Sequence, residues 1–547
     1  MNRTPAPASS PAGARTILGH PPGLFLLFAV EMWERFSYYG MRGLLVLYLI
    51  AATTGDAAGF NPGRGWPKSD AATLYGWYTG LAYLFPILGG IIADKLIGTH
   101  RSMLVGGLLI TIGHVVLAIS GLGTLAENAL GMSVFITGLA LIVLGTGHFK
   151  PSVSVMVGQL YPQGDERRDA AFTIFYMGIN LGAFLCAFIC GTLGEKVGWH
   201  WGFGSAAVGM IGGLVLYAVL RPRYLAGVGL PPAAGTGRTA WAFLVGSVVL
   251  AAVFGAAYHA GWPTAAAAAL ASVPGRVAGA AGIPPAWALA LVAGAPVLAV
   301  VALAAWFVAI QRPEDRGPTA SIFLFMAFNV FFWVAFEQAG SSINVFTEQN
   351  TDRRLFGMEV PATWFQSVNA GLIFLLAPAF AGLWTRLGRR HLDPSQPLKI
   401  ALGLLFLGLG YVFMVWAGLA ARDGAKASML LILLTYFWHT VGELCVSPTG
   451  LSYVTKVAPA RFVSLLMGVW FISSFIANLA GGLIAARVEA IERGEIRLPW
   501  NFGGQADFFF LFVVSSLGMG LLVAALTPLL RRLIGGRDQA GPATGQH

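Results

Sequence analysis

Charge is scarce in this chain. Only 11% of its 547 residues are Asp, Glu, Lys or Arg, while 56% are hydrophobic; soluble domains carry about 25% charged residues. With a mean hydropathy of +0.71, a soluble globular fold is excluded. Cysteine is scarcer still. Cys186, Cys190 and Cys445 all lie in apolar stretches without His or Cys partners at metal-ligand spacing, so they read as buried free thiols, and neither a disulfide framework nor a metal site is indicated. No Ser/His/Asp arrangement, HExxH or Cys/His cluster appears. An enzyme would need such a nucleophile–base or metal constellation, so the chain reads as no enzyme and calls for no cofactor. A receptor would want a sizeable polar output domain, and the tails are short.

What is present in abundance is apolar sequence. Stretches of about 20 residues or more, enough to cross a bilayer, fall near 22–50, 70–97, 101–122, 130–160, 168–191, 199–221, 239–260, 286–310, 318–347, 361–387, 398–420, 427–456, 460–487 and 505–534. They make an all-α polytopic membrane protein of fourteen transmembrane helices. The segment after the polar, Pro-rich N-terminus is too long for a signal-peptide core and is read as the first helix. Loops on the N-terminal side of the membrane carry the excess of Lys and Arg. The net charge of +10 is therefore a positive-inside signal and not a nucleic-acid surface. An even number of helices puts both termini in the cytoplasm.

The seventh and eighth stretches differ from the rest. They are rich in Ala and Val, carry no internal charge, and flank the low-complexity linker GWPTAAAAALASVPGRVAGAAGIPPA. They read as a lipid-facing insertion between two six-helix halves. The expected division is a tail (1–21), an N-terminal bundle (22–221), a linker with two extra helices (222–317), a C-terminal bundle (318–534) and a tail (535–547).

Against this apolar background seven ionisable residues stand out: Glu31, Glu34, Arg35, Arg42, Lys150, Glu337 and Glu443. Each costs about 2.5–3.5 kcal/mol at the bilayer centre on insertion scales, which a purely structural bundle has no reason to bear. With the inserted pair set aside, they fall on the first helix of each of four three-helix units. Transporters built from nested three-helix repeats place substrate and ion sites at the repeat interface, near the midplane.

Glu31, Glu34, Arg35, Tyr38 and Arg42 recur at i, i+3, i+4, i+7 and i+11, within an arc of roughly 80° on one helix face. An Arg stays charged there, while a carboxylate in a low-dielectric site can take up a proton. Proton coupling needs that combination. A static salt bridge is the plainer alternative. Lys150 sits between Gly147 and Pro151, and Glu443 precedes Pro448; both read as helix breaks of the kind tolerated only beside protein or a water-filled cavity. Three cations face four acids, leaving one acid for a proton or a ligand ammonium. Positive charge on the N-terminal half and negative charge on the C-terminal half suit a zwitterion. Asn180 and Asn369 want partners in a membrane helix, and interhelical packing would also satisfy them.

The loops GIIADKLIGTHR and AGLWTRLGRR resemble the repeated basic loop of the major facilitator superfamily. In order, EMWERFSYYGMR, GTGHFKPSVS, FYMGINLGAF, FWVAFEQAGSSINVF, WFQSVNAG and GELCVSPTGLSYVTKVAP closely resemble the proton-dependent oligopeptide transporter family of that superfamily. The resemblance implies a major facilitator fold and proton-coupled import of di- and tripeptides by alternating access, in a bacterial inner membrane, by a monomer. By the same resemblance Glu31, Glu34, Arg35 and Glu337 handle the proton. Arg35, Arg42 and Lys150 attract the peptide carboxylate. Asn180, Asn369 and Glu443 hold the amino terminus, and Tyr38, Tyr78, Trp333 and Trp470 line side-chain pockets. Arg42–Glu337 latches the outer gate and Lys150–Glu443 the inner one. Animal members carry a functional histidine in the second helix, where this chain has Gly76 and Trp77, so coupling here must rest on carboxylates. A symporter of another solute, nitrate or a modified peptide, is the alternative on the same fold; Glu443 would repel an anion.

Overall fold

The computed structural model describes residues 16–53, 61–162, 164–232, 236–447, 450–535 and 537. The first six long helices are α1 (Pro22–Ile50), α2 (Lys68–Ile92), α3 (Thr99–Ile119), α4 (Ala129–Gln159), α5 (Arg167–Cys186) and α6 (Trp199–Tyr224). An inserted pair follows, α7 (Gly237–His259) and α8 (Pro285–Ala309). The last six are α9 (Pro313–Phe336), α10 (Trp364–Arg389), α11 (Gln396–Ala420), α12 (Met429–Val446), α13 (Val463–Ala485) and α14 (Ala506–Ile534). Thirteen of the described helical spans are long and apolar enough to cross a membrane. The 29-residue α1 is the fourteenth, set apart by the four charges it carries. The chain is an all-α, multi-pass membrane protein of the major facilitator fold.

The apolar core divides with the sequence. One large cluster is built from residues of α9–α14 and the short helix Gly450–Val457. Others are built mainly from α1–α6. Within the N-terminal group, helices approach closely where glycine removes the side chain: a Cβ at Gly106 of α3 would lie 2.5 Å from the Gly145 carbonyl oxygen of α4. That is the small-residue packing by which helices associate in lipid.

Two expectations change in detail. The helix carrying Lys150 is not broken, for α4 runs unbroken through Pro151. Its glycines serve close approach to α2 and α3 instead. The Ala-rich linker is largely helical, with short helices at Trp262–Ala271 and Val273–Ala281, as alanine's helix propensity favours; Gly282 then takes the left-handed conformation that ends the second. Pro448, read as a break after Glu443, lies outside the described residues.

Of the inserted pair, one helix packs against the N-terminal group and the other is largely exposed. α7 lies along α3 and α4, with His259 Nδ1 within 3.2 Å of Ser133 Oγ and Phe243 against the His148 ring. α8 exposes nearly its whole surface, including Trp287 and Trp306. These tryptophans lie towards its two ends, as in the aromatic belts of membrane helices.

Candidate functional site: a charged cavity between the halves

A cavity of about 390 Å³ lies between the two helical groups, lined by Arg42 and Lys150 from one and by Glu337 and Glu443 from the other. Four of the first-helix residues of the three-helix units thus meet one space, as their spacing in the sequence suggests.

On α1 the polar stripe is fully packed, and its residues do different things. Arg35 Nε is 3.2 Å from Glu31 Oε1 and is also paired with Glu34. All three side chains are buried, and Glu31 Oε2, Glu34 Oε1 and Arg35 Nη2 have no partner among the described residues. One cation against two carboxylates localises the surplus acid of the membrane charges in this trio. Two turns further along α1, Arg42 pairs with Glu337, and its Nε donates to Tyr75 Oη at 2.5 Å.

Glu337 is presented by a change of helix type. After Phe336, α9 tightens into a 3₁₀ turn over Glu337–Gly340 before a short helix Ser342–Asn350. Gln338 fixes that turn, donating to Gly481 O at 3.0 Å and accepting from Ser342 Oγ at 2.6 Å. Gly340 is required there, since a Cβ would lie 2.6 Å from Tyr75 Cζ.

The second pair is apart. The ion pairs of the described residues do not include Lys150–Glu443. Lys150 Nζ instead rests 3.9 Å from the centre of the Tyr83 ring, a cation–π contact. Glu443 accepts from Asn369 Nδ2 at 2.8 Å, and the same nitrogen lies 3.0 Å from Thr440 Oγ1. Asn180 donates to the Tyr176 carbonyl at 3.0 Å, within its own helix, and its side chain lines the cavity with Trp333, Asn369 and Trp470.

Arg35, Tyr38 and Tyr78 are not part of the cavity wall. Tyr38 and Tyr78 are 3% and 2% exposed and stack on each other at 6.3 Å, with Arg35 over the Tyr38 ring. Tyr39 and Tyr83 line the cavity instead. The physical reason is angular. In a helix Tyr39 is turned about 100° from Tyr38, and here that rotation carries the Tyr38 ring out of the wall and onto Tyr78.

Polar contacts between the halves gather at the end away from the chain termini. Asn344 Nδ2 donates to Gly43 O at 2.9 Å. The α5 helix continues through a wide turn at Ala187–Gly191 to Thr192–Lys196, which delivers Glu195 to the start of α10. There its carboxylate accepts from Ala362 N (2.8 Å), Thr363 N (2.8 Å) and Thr363 Oγ1 (2.6 Å), and Arg353 stands 3.8 Å away. Trp364 Nε1 donates to Thr192 Oγ1 at 2.9 Å. This clasp escaped the sequence reading because GTLGEKVGW looks like an ordinary polar loop. Tyr75 and Tyr83 had a signal, as aromatic hydroxyls on the same helix as Tyr78.

A membrane bundle whose two halves enclose a charged cavity and are tied at one end is a transporter, and not an enzyme. Residues 100–227 and 287–498 match the family described as the POT family. The chain is 37% identical over 492 residues to the peptide transporter YePEPT of Yersinia enterocolitica, covering 87% of this chain and 90% of that one. It is 37% identical over 536 residues to a di-/tripeptide transporter of Lactococcus lactis, covering 95% and 98%. A crystal structure of a peptide transporter POT in complex with sulfate superimposes with a TM-score of 0.75 at 35% identity, over 95% of this chain and 97% of that one. The chain belongs to the POT family.

Proposed function

We propose that this protein is a proton-coupled symporter that imports di- and tripeptides by alternating access across a bacterial cytoplasmic membrane, as a monomer with both termini in the cytoplasm. The observation that carries the reading is the polarised cavity: fixed cations on the N-terminal half (Arg42, Lys150) and carboxylates on the C-terminal half (Glu337, Glu443) around about 390 Å³, within the range of small-ligand sites. A peptide zwitterion offers a carboxylate to the first set and an ammonium to the second. The names borne by relatives from Yersinia and Lactococcus support the same substrate class.

In this reading Glu31, Glu34 and Arg35 hold the proton-coupling stripe, and Arg35, set behind the wall, favours the ligand carboxylate once a proton neutralises the surplus acid beside it. Arg42–Glu337 is the outer latch, and protonating Glu337 weakens it. Lys150 and Glu443 meet the two ends of the peptide or, without it, each other. Asn180 and Asn369 support the ammonium end, Trp333 and Trp470 take side chains, and Tyr38 and Tyr78 brace that wall. With the outer latch made and the Lys150–Glu443 pair apart, the conformation is the inward-facing one.

The test is uptake of labelled dialanine into proteoliposomes, with and without an inward proton gradient and an inside-negative potential. Gradient-dependent accumulation, suppressed by unlabelled di- and tripeptides but not by free alanine or nitrate, is expected. Absence of uptake by folded protein would overturn the peptide assignment.

A further inference from the structure

One member of the cavity wall, Asn329, has a donor without a partner among the described residues. Asn329 lies one turn before Trp333 on α9, and both line the cavity. The indole Nε1 of Trp333 donates to Asn329 Oδ1 at 3.0 Å. An indole N–H can only donate. The bond therefore settles which end of the amide is oxygen, a choice usually left open for such side chains. Nδ2 is turned away from the indole as a donor. It has no partner among the described residues, although Asn329 is only 3% exposed. Buried donors in native proteins are almost always bonded.

The surroundings of this amide are aromatic. Trp333 packs edge-on against Phe332 at 5.5 Å and Phe336 at 5.1 Å, and Trp470 and Phe471 of α13 stand in the same wall. The subsite is an apolar surface with one fixed N–H. We propose that Asn329 is a specificity-determining residue: its Nδ2 donates to a carbonyl oxygen on a ligand side chain, so that amide side chains are preferred over apolar ones of equal size. The inference rests on the peptide reading above. A ligand that lacks the acceptor leaves the buried donor unpaired, which is the strongest form of discrimination a hydrogen-bonding site has.

The competing account is that Asn329 only braces the indole, and two variants separate the accounts. Asn329→Asp keeps an acceptor for Trp333 but removes the donor; Asn329→Leu removes both. Binding to the purified full-length protein is measured by competition against labelled dialanine. The competitors are Ala-Gln and Ala-Met, which are nearly equal in size, the reversed pair Gln-Ala and Met-Ala, and Ala-Lys. The wild type is expected to favour glutamine over methionine by roughly three- to tenfold in one of the two orders, the worth of one neutral hydrogen bond. Both variants should lose that ratio, and Asn329→Asp should gain affinity for Ala-Lys. Bracing alone predicts that Asn329→Asp keeps the wild-type ratio, and that result overturns the proposal, as does a wild type without preference in either order. If folded wild type binds no dipeptide, the peptide reading falls and the subsite with it. Binding with unchanged ratios removes the subsite alone.

Discussion

Lys150 and Glu443 show how a residue can be legible in sequence while its contact is not. Their rarity in apolar helices singles them out, because a charge in the membrane is costly. Which partner each takes is a property of conformation. Each has a resting partner on its own half, Tyr83 at 3.9 Å for Lys150 and Asn369 at 2.8 Å for Glu443, so separating the pair leaves neither charge bare. A Lys150→Ala variant is expected to lose both gradient-driven uptake and tight dipeptide binding, because Arg42, the other Lys or Arg of the cavity wall among the described residues, is held by Glu337. Calorimetry on the purified variant checks this, and wild-type affinity would remove Lys150 from the site. The confusion of Tyr38 with Tyr39 has the same origin. Spacing gives the face of a helix, and an adjacent pair on the border of that face is decided only by what packs behind it.

At the scale of the element, hydrophobic length was nearly sufficient. The stretch read as 22–50 is α1 to the residue, and that read as 199–221 extends only to Tyr224. Changes of helix type were invisible, because the 3₁₀ turn at Glu337–Gly340 and the wide turn at Ala187–Gly191 lie inside stretches that each read as a single membrane span and are selected by tertiary contacts. The wide turn matters most for Glu195. Its carboxylate stands at the N-terminus of α10, where the backbone N–H groups have no partner within the helix and the helix dipole favours an anion. Loss of a cap of this kind costs about 1–2 kcal/mol, and here the capping group belongs to the opposite half. Glu195→Ala should therefore raise the population open at that end by roughly five- to thirtyfold, while Glu195→Gln, which retains one acceptor oxygen, should have a smaller effect. Cys186 reports the change, as it lines the cavity and is buried. With Cys190 and Cys445 replaced by Ser, its labelling by a membrane-impermeant thiol reagent added from that side should quicken in the order wild type, Glu195→Gln, Glu195→Ala. Equal rates would show that the clasp does not hold the halves together.

For the whole molecule, the membrane charges divide into three sets by the partners they keep. Arg42 and Glu337 form a neutral, buried pair; deleting one partner of such a pair costs about 3–5 kcal/mol. In the proposed reading Lys150 and Glu443, apart here and partnered by Tyr83 and Asn369, take each other or the two ends of a zwitterion in turn. The Glu31–Glu34–Arg35 trio holds two acids around one cation, with an oxygen of each acid unbonded among the described residues. Of these three sets only the last has an unbalanced charge, and the proposed function therefore puts the coupling proton there. Glu34→Gln fixes the trio at neutrality without a proton. Proteoliposomes carrying that variant are expected to exchange labelled for unlabelled peptide down its own gradient, yet fail to accumulate peptide when a proton gradient is imposed. If the variant accumulates peptide as the wild type does, the trio is a structural ion cluster and coupling passes through Glu337. Loss of exchange as well as accumulation would place Glu34 in ligand binding. The counterflow measurement thus separates coupling from binding, because it moves the peptide through the same cavity with no driving proton.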